Sequence, residues 1–345
     1  MKKYVINIVQ PNSYNAMSKA KDDINHFLNE VGFESINVQK FRNKAEKLVL
    51  TPYIIKTKFG QLKKGDVLLL QFPTYLGRRF ENRLLVSLRK RGVHLFALIH
   101  DLDALRFTEA EMPNRPSLDL DVIDLNQYDV VISSNAVMSN LLKQKGLARP
   151  VVDLKIFDYY HDYKHSRLPE HRQSLNFAGN LTKSQFLYDF PDEIQTKLVL
   201  FGLYDHSKAL PRQSDYRGLF KPEELVGELN QGYGLVWDGK SSMKIKGLIG
   251  EYLKYNNPHK ASLYLSAGLP VVIWRGAAIA QFIEQNQVGI LVDSLADVDR
   301  ELATITDAQY VDMARSASRL ADKLTTGFYI KTAVEQAIAL IKSAD

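Results

Sequence analysis

Short apolar runs of strand length alternate with helical patterns along this chain, and they do so in two successive series. Residues 4–9, 36–38, 67–71, 94–99, 130–133 and 151–154 carry the first series. Helical spacing lies between them at 18–31 (Ala20, Ile24, Phe27, Leu28, Val31), 79–91 and 136–145. Strands separated by helices are joined by long crossovers, which makes neighbouring strands parallel. A parallel sheet must be covered on both faces. A second series repeats the plan, with strands at 175–178, 198–201, 235–237, 270–273 and 289–292 and helices near 222–229, 258–267, 278–286 and 307–323. The expected fold is α/β, with two Rossmann-like doubly wound domains, 1–160 and 161–330, facing a central cleft. A last helix within 331–345 is expected to cross back to the first domain. The stretch 157–173, rich in His, Tyr, Lys and Arg and poor in apolar periodicity, reads as the connection between them.

Composition narrows the chemistry. The 345 residues suit two domains of ordinary size. Cysteine is absent, which excludes disulfides, thiolate metal sites and cysteine nucleophiles. The N-terminal apolar run breaks at Gln10-Pro11, too early for a signal peptide, and no stretch approaches the ~20 apolar residues of a membrane span. A cytoplasmic protein, free or at the inner face of the membrane, is expected. The net charge of +6 is uneven: residues 40–91 hold fourteen Lys/Arg against Glu46, Asp66 and Glu81. Such a face suits an anionic partner. No zinc-finger, RNP1-like or KH-like pattern supports nucleic acid. Residues 78–91 place Phe80, Leu84, Leu85 and Leu88 on one helical face and Arg78, Arg79, Arg83, Arg89, Lys90 and Arg91 elsewhere. That pattern fits peripheral membrane contact or a helix packed on its sheet.

One segment carries a specific chemistry. Tyr255-Asn256-Asn257-Pro258-His259-Lys260 precedes a helix. Pro258 suits its first turn, and Asn256 or Asn257 suits its cap. A helix start offers N–H groups and a positive dipole end to an anion, and Lys260 adds a charge in the same turn. No G-x-G-x-x-G, P-loop or G-x-S-x-G motif occurs, which argues against dinucleotide dehydrogenases, P-loop NTPases and α/β-hydrolases. His161 and His165 have H-x3-H spacing but no third ligand in view, so no metal site is expected there.

The run KYNNPHKASLYLSAGLPVVIWRG, preceded by GYGLVWDG and followed by EQNQVGI, resembles the glucosyltransferase 3-like family of bacterial GT-B enzymes. Relatives include proteins labelled β-1,6-galactofuranosyltransferases. The resemblance extends to Phe177-Ala178-Gly179-Asn180, to VLLLQFPTY (67–75) and to Ile99-His100-Asp101. It implies a hexosyltransferase that uses a UDP-sugar as donor substrate and needs no metal or other cofactor. The implied donor site lies in the second domain. Lys260 would meet the diphosphate, with Asn256 and Asn257 at the helix start. Gly179 and Asn180 would approach the nucleotide, Asp238 would take a ribose or sugar hydroxyl, and Tyr204 would stack on the base. The first domain would meet a saccharide, glycopeptide or lipid-linked acceptor through Asn15, Lys19, Thr74, Tyr75 and Arg106. Asp101 is the expected base, with His100 as the alternative or its orienter. A homo-oligomer is compatible with all of this.

Three other readings stay open. The tripeptides Asp101-Leu102-Asp103 and Asp119-Leu120-Asp121 match the DxD of metal-dependent glycosyltransferases, since paired carboxylates suit hard cations. A non-catalytic GT-B-like protein would instead stabilise another transferase. A basic module would dock on nucleic acid or membrane through residues 40–91.

Overall fold

The structure, a computed structural model, describes residues 1–9, 16–164 and 166–343. The chain forms two compact units. Unit 1 comprises Met1–Ala104, Asn114–Leu154 and Tyr329–Asp345, and unit 2 comprises Leu105–Pro113 and Lys155–Phe328.

In unit 1 the strands are β1 (Lys3–Val9), β2 (Phe33–Gln39), β3 (Val67–Phe72), β4 (His94–Ile99), β5 (Val130–Ser133) and β6 (Val151–Asp153). They form one parallel sheet in the order β2-β1-β3-β4-β5-β6. The helices are α1 (Ala16–Glu30), α2 (Lys44–Phe59), α3 (Arg78–Arg89), α5 (Leu118–Leu125) and α6 (Ala136–Gln144), and the short α4 (Asp103–Arg106) has its last two residues in unit 2. All six residues of β3 are buried, as a central strand covered on both faces requires. The strand order reverses between β1 and β3, and ligands of open parallel sheets bind beyond the carboxyl ends at such a point.

In unit 2 the strands are β7 (Glu170–Ala178), β8 (Lys197–Phe201), β9 (Ser214–Gly218), β10 (Gln231–Val236), β11 (Val271–Trp274) and β12 (Gly289–Val292). Their sheet is also parallel, in the order β12-β11-β10-β7-β8-β9, and reverses between β7 and β10. Helices α7 (Pro222–Glu228), α8 (Leu248–Glu251), α9 (His259–Ser266), α10 (Ala280–Asn286), α11 (Val298–Ala303) and α12 (Asp307–Thr325) complete it. Among these, α9 is buried on nearly every side, from Ala261 to Ser266. After α12 the chain enters α13 (Phe328–Lys342), where Lys331 pairs with Glu30 of α1 at 2.7 Å.

Several expectations need correction. Within the stretch read as the connection, Phe157, Asp158, Tyr159 and His161 are buried. The Tyr159 ring packs at a tilt against His259, with centroids 5.2 Å apart, and His161 Nε2 donates to the Ser266 carbonyl at 3.1 Å. These residues therefore pack into unit 2, most of the described residues of 162–173 stay exposed, and the two units divide after Leu154. Leu105–Pro113 groups with unit 2, although it lies inside the first series. The short helices α4, α8 and α11 escaped the periodicity reading, and so did α2, α5 and β9. α2 buries only Thr51, Ile54 and Phe59 and contains Pro52. α5 is acidic, and β9 is a polar edge strand paired to β8 alone.

In α3 the residues Phe80, Leu84, Leu85 and Leu88 are buried, so its apolar face is committed to the protein. Arg78 makes a two-pronged pair with Asp124, through Nε at 2.6 Å and Nη2 at 2.8 Å. Of the two readings of 78–91, the helix packed on its sheet is the one that its buried apolar face supports. No described helix is long and apolar enough to cross a membrane.

Candidate functional site

The carboxyl ends of β7 and β10 flank the reversal point of unit 2, and three residues singled out in the sequence converge there. Lys260, in the first turn of α9, brings its Nζ within 3.6 Å of Asp238 Oδ2, just past β10. The same Nζ lies 5.0 Å from the ring centroid of Phe177. Its Cε sits 3.3 Å from where a Cβ on Gly179 would project, so a larger residue at 179 would press on the lysine stem. The Lys260 and Asp238 side chains keep 25% and 30% of their exposure, which leaves both reachable by a ligand. A partly exposed lysine beside an uncapped helix start is chemically suited to a diphosphate.

Buried contacts hold this arrangement. Tyr264, one turn after Lys260, is fully buried, and its hydroxyl accepts the Ala178 N–H at 2.8 Å. Its ring fills the space a side chain at Gly234 would need, since a Cβ there would lie 2.2 Å from Tyr264 Cγ. The tyrosine thus fixes α9 against β7 and β10 and sets where Lys260 emerges. Burial pushes the Tyr264 phenol well above its ordinary pKa, so it stays neutral. Gly202, at φ +132°, backs the Gly179 loop so closely that a Cβ would lie 1.8 Å from the Gly179 carbonyl oxygen. Neither Tyr264 nor Gly202 was a sequence candidate. Gly202 carried a usable signal, because it follows β8 as Gly179 follows β7.

The helix start differs from expectation. α9 begins at His259 with Pro258 itself at the cap position, extended at ψ 127°, and no side chain caps it. Asn257 is buried and donates to the Lys155 carbonyl at 3.0 Å, so it anchors the segment instead of capping. Asn256 Oδ1 is buried without a hydrogen-bond partner among the described residues. Asn180 spends its side chain on the turn that follows, accepting the Lys183 N–H at 3.1 Å. Tyr204 packs edge-on against His206 and Tyr216, at 4.5 and 5.4 Å, inside an aromatic cluster of its own loop.

In unit 1 the ends of β3 and β4 assemble a second polar group. Gln71 Nε2 donates to Asn25 Oδ1 at 2.9 Å, Asn25 Nδ2 to Asn7 Oδ1 at 2.9 Å, and Asn7 Nδ2 to Asn37 Oδ1 at 2.8 Å. With its amide nitrogen committed, Gln71 presents Oε1 to His100 Nε2 at 2.7 Å, so the histidine carries its proton on Nε2. This relay assigns the tautomer of a buried His100. Asp101, next in the chain, is partly exposed. Lys21 reaches over from α1, donating to the Pro73 carbonyl at 2.6 Å and lying 5.2 Å from the Tyr75 ring. Burial lowers its pKa to about 8, against the opposing pull of Asp101, Glu81 and Asp103. Tyr75 sits at φ +58°, costly for a non-glycine residue, with its hydroxyl 3.3 Å from Asp103 Oδ1. Lys21, Gln71 and Asn25 were not foreseen, because nothing in α1 separates a buried lysine from a solvated one.

Other unit 1 candidates fare differently. Thr74 is 1% exposed and donates its hydroxyl to Glu81, so it is closed to a sugar. Lys19 is tied to the buried Asp23. Arg106 lies over the Phe107 ring at 5.0 Å and belongs to unit 2 by its contacts. Asn15 and His165 lie outside the described residues. The second DxD is split by its helix: Asp119 is exposed and Asp121 is 2% exposed, because residues two apart on a helix point away from each other. Asp121 faces Asp103 and Asp124, and burial with those like charges pushes its pKa up to about 7.

Comparison with known proteins follows the same division of the chain. Residues 2–156 match the N-terminal domain of the glucosyltransferase 3-like family, and residues 175–337 match its C-terminal domain. A β-1,6-galactofuranosyltransferase, WbbI of Escherichia coli K12, is 30% identical over 299 residues, covering 86% of each chain. Glucosyltransferase 3 of Streptococcus gordonii is 25% identical over 346 residues, covering 99% of this chain and 100% of that protein. Among solved structures, an α-glucosyltransferase in complex with UDP shares the fold. Its TM-score is 0.61 at 11% identity, over 99% of this chain and 100% of that one.

Proposed function

The chain belongs to the glucosyltransferase 3-like family of GT-B glycosyltransferases, and from that premise we propose that it transfers a hexose from a UDP-sugar bound by unit 2. The named relatives divide between glucosyl and galactofuranosyl transfer, which supports those two hexoses as donors. The acceptor is a hydroxyl of a saccharide, a glycopeptide or a lipid-linked saccharide.

The observation that carries this reading is the convergence of Lys260, Asp238 and Gly179 at the reversal point of the unit 2 sheet. Lys260 faces Asp238. A diphosphate carries more charge and draws the ammonium to itself. That frees the Asp238 carboxylate to accept a ribose or sugar hydroxyl. As the bond between the anomeric carbon and the diphosphate oxygen breaks, negative charge grows on UDP. Lys260 and the uncapped N–H groups of α9 supply a charge and dipoles suited to stabilising it. Two pre-set cationic elements suffice for the leaving group, so the reading is metal-independent. The acceptor's proton passes to Asp101, with His100, held by Gln71, as the alternative base.

The test is Lys260→Ala. Losing one charged transition-state contact typically costs about 10²–10³ in turnover. UDP release from the donor should drop by that factor while the melting temperature stays within a few degrees, because the lysine is partly exposed. Wild-type turnover in this variant would remove the proposal. Activity abolished by EDTA in the wild type would shift the reaction to a metal-assisted one.

A further inference from the structure

We propose that the outer face of α2, together with the groove between α2 and α3, docks unit 1 onto an anionic lipid surface. This stands apart from the donor-site reading and uses none of its residues.

α2 has two apolar faces. The inner one, Thr51, Ile54 and Phe59, is buried in unit 1. The outer one carries Leu48, Val49 and Tyr53, which are 60%, 71% and 65% exposed, with Pro52 exposed between them. Positions 48, 49, 52 and 53 follow helical spacing, so they form one continuous stripe. Single exposed apolar residues are ordinary, but a contiguous stripe marks a contact surface. Beside it runs a groove of about 700 Å³ lined by Pro52, Ile55, Lys56, Arg83, Ser87 and Arg91. The Arg91 guanidinium is held at its wall by the Phe59 carbonyl, 2.8 Å away.

Charge decides the occupant. Of residues 40–91, fourteen are Lys or Arg and three are acids. Of those acids, Asp66 is buried, Glu81 is half-buried, and Glu46 is held at the surface. Glu46 accepts the Arg42 N–H at 2.6 Å, Asp66 accepts the Lys2 and Lys63 N–H groups, and Glu81 accepts the Thr74 hydroxyl. Lys44, Lys56 and Arg83 form no ion pair among the described residues. A second copy meeting this face symmetrically would oppose cation to cation. Nucleic acid would satisfy the charges but leave Leu48 and Val49 without a partner. A phosphate-bearing bilayer offers both an anionic plane and an apolar layer beneath it. The sequence pattern of 78–91 fits such a role too. The structure buries Phe80, Leu84, Leu85 and Leu88 of α3, while α2 supplies the continuous exposed apolar stripe.

The experiment is co-sedimentation of the full chain with phosphatidylglycerol/phosphatidylcholine vesicles and with pure phosphatidylcholine vesicles, at low and high salt. Binding is expected to the anionic vesicles only and to weaken with salt. The triple variant Leu48→Ser/Val49→Ser/Tyr53→Ser should weaken it more than tenfold. Because each cation near such a surface strengthens binding about fivefold, Lys56→Glu/Arg83→Glu should weaken it at least as much. Thermal melting and UDP release should match the wild type in both variants, which separates a lost surface from a lost fold. No pelleting, equal pelleting with both vesicles, or wild-type pelleting of the triple variant would overturn the proposal. A wild-type assembly that the triple variant converts to monomer, without vesicle binding, would overturn it in favour of a self-interface.

Discussion

Gly202→Ala tests whether the backbone behind the donor loop is as tight as the structure makes it. The new methyl would lie 1.8 Å from the Gly179 carbonyl oxygen and 2.9 Å from its carbon, both of them backbone atoms that cannot rotate away. Relief requires the Gly179 loop to separate from β8, which strains the hydrogen bond from Gly179 N to the Phe201 carbonyl at 3.0 Å. A positive φ for alanine costs about 1–3 kcal/mol, and the lost hydrogen bond and forced shift add about 2 more. The sum of about 3–5 kcal/mol is a large part of an ordinary domain's stability but does not exceed it. At about 2–4 °C per kcal/mol, melting should fall by roughly 6–20 °C. The displaced loop adjoins Lys260, so the UDP Kd should rise at least about tenfold, equivalent to about 1.4 kcal/mol. Gly218→Ala is the control. Its φ is also positive, +97°, but a Cβ there meets nothing within 4 Å. It should cost only about 1–2 kcal/mol of backbone strain and leave UDP affinity unchanged. If Gly202→Ala melts no lower than Gly218→Ala, and binds UDP equally well, the steric reasoning is wrong.

Two pH experiments follow from unit 1. Asp121 is raised from 3.8 to about 7 in the folded chain, so the native state holds more protons than the unfolded one between those values. Stability is therefore lost as pH rises through that window, and Asp121→Asn should stabilise by about 1–3 kcal/mol at pH 8 with little effect near pH 4. Denaturant unfolding at both pH values decides it, and an equal effect at both would refute the assignment. Lys21 is lowered from 10.5 to about 8, so between those values the unfolded chain binds more protons and stability rises with pH. Lys21→Met should remove that rise, worth at most about 3 kcal/mol, and a pH profile parallel to wild type would count against the buried charge.

Alternation of strand and helix patterns was enough to read both parallel sheets from the sequence. An apolar run of strand length followed by a helical one has few other solutions. The motif order likewise carried the family, and with it the transferase activity. Elements stabilised by something other than an apolar stripe stayed hidden. β9 exists because β8 offers it an edge, and α2 is held by a few buried contacts while its other face is exposed. Tertiary structure alone decided the details of the sites. Asn257 and Thr74 look like free polar residues in the sequence, yet burial commits them to Lys155 and Glu81. Gly202, Tyr264, Gln71 and Lys21 act through neighbours far away in the chain, such as the 86 residues separating Tyr264 from Ala178. Local pattern reports which face of an element is apolar. Which polar group meets which is fixed only when the strands are laid side by side, because hydrogen-bond partners and desolvation are properties of the packed arrangement and not of spacing along the chain.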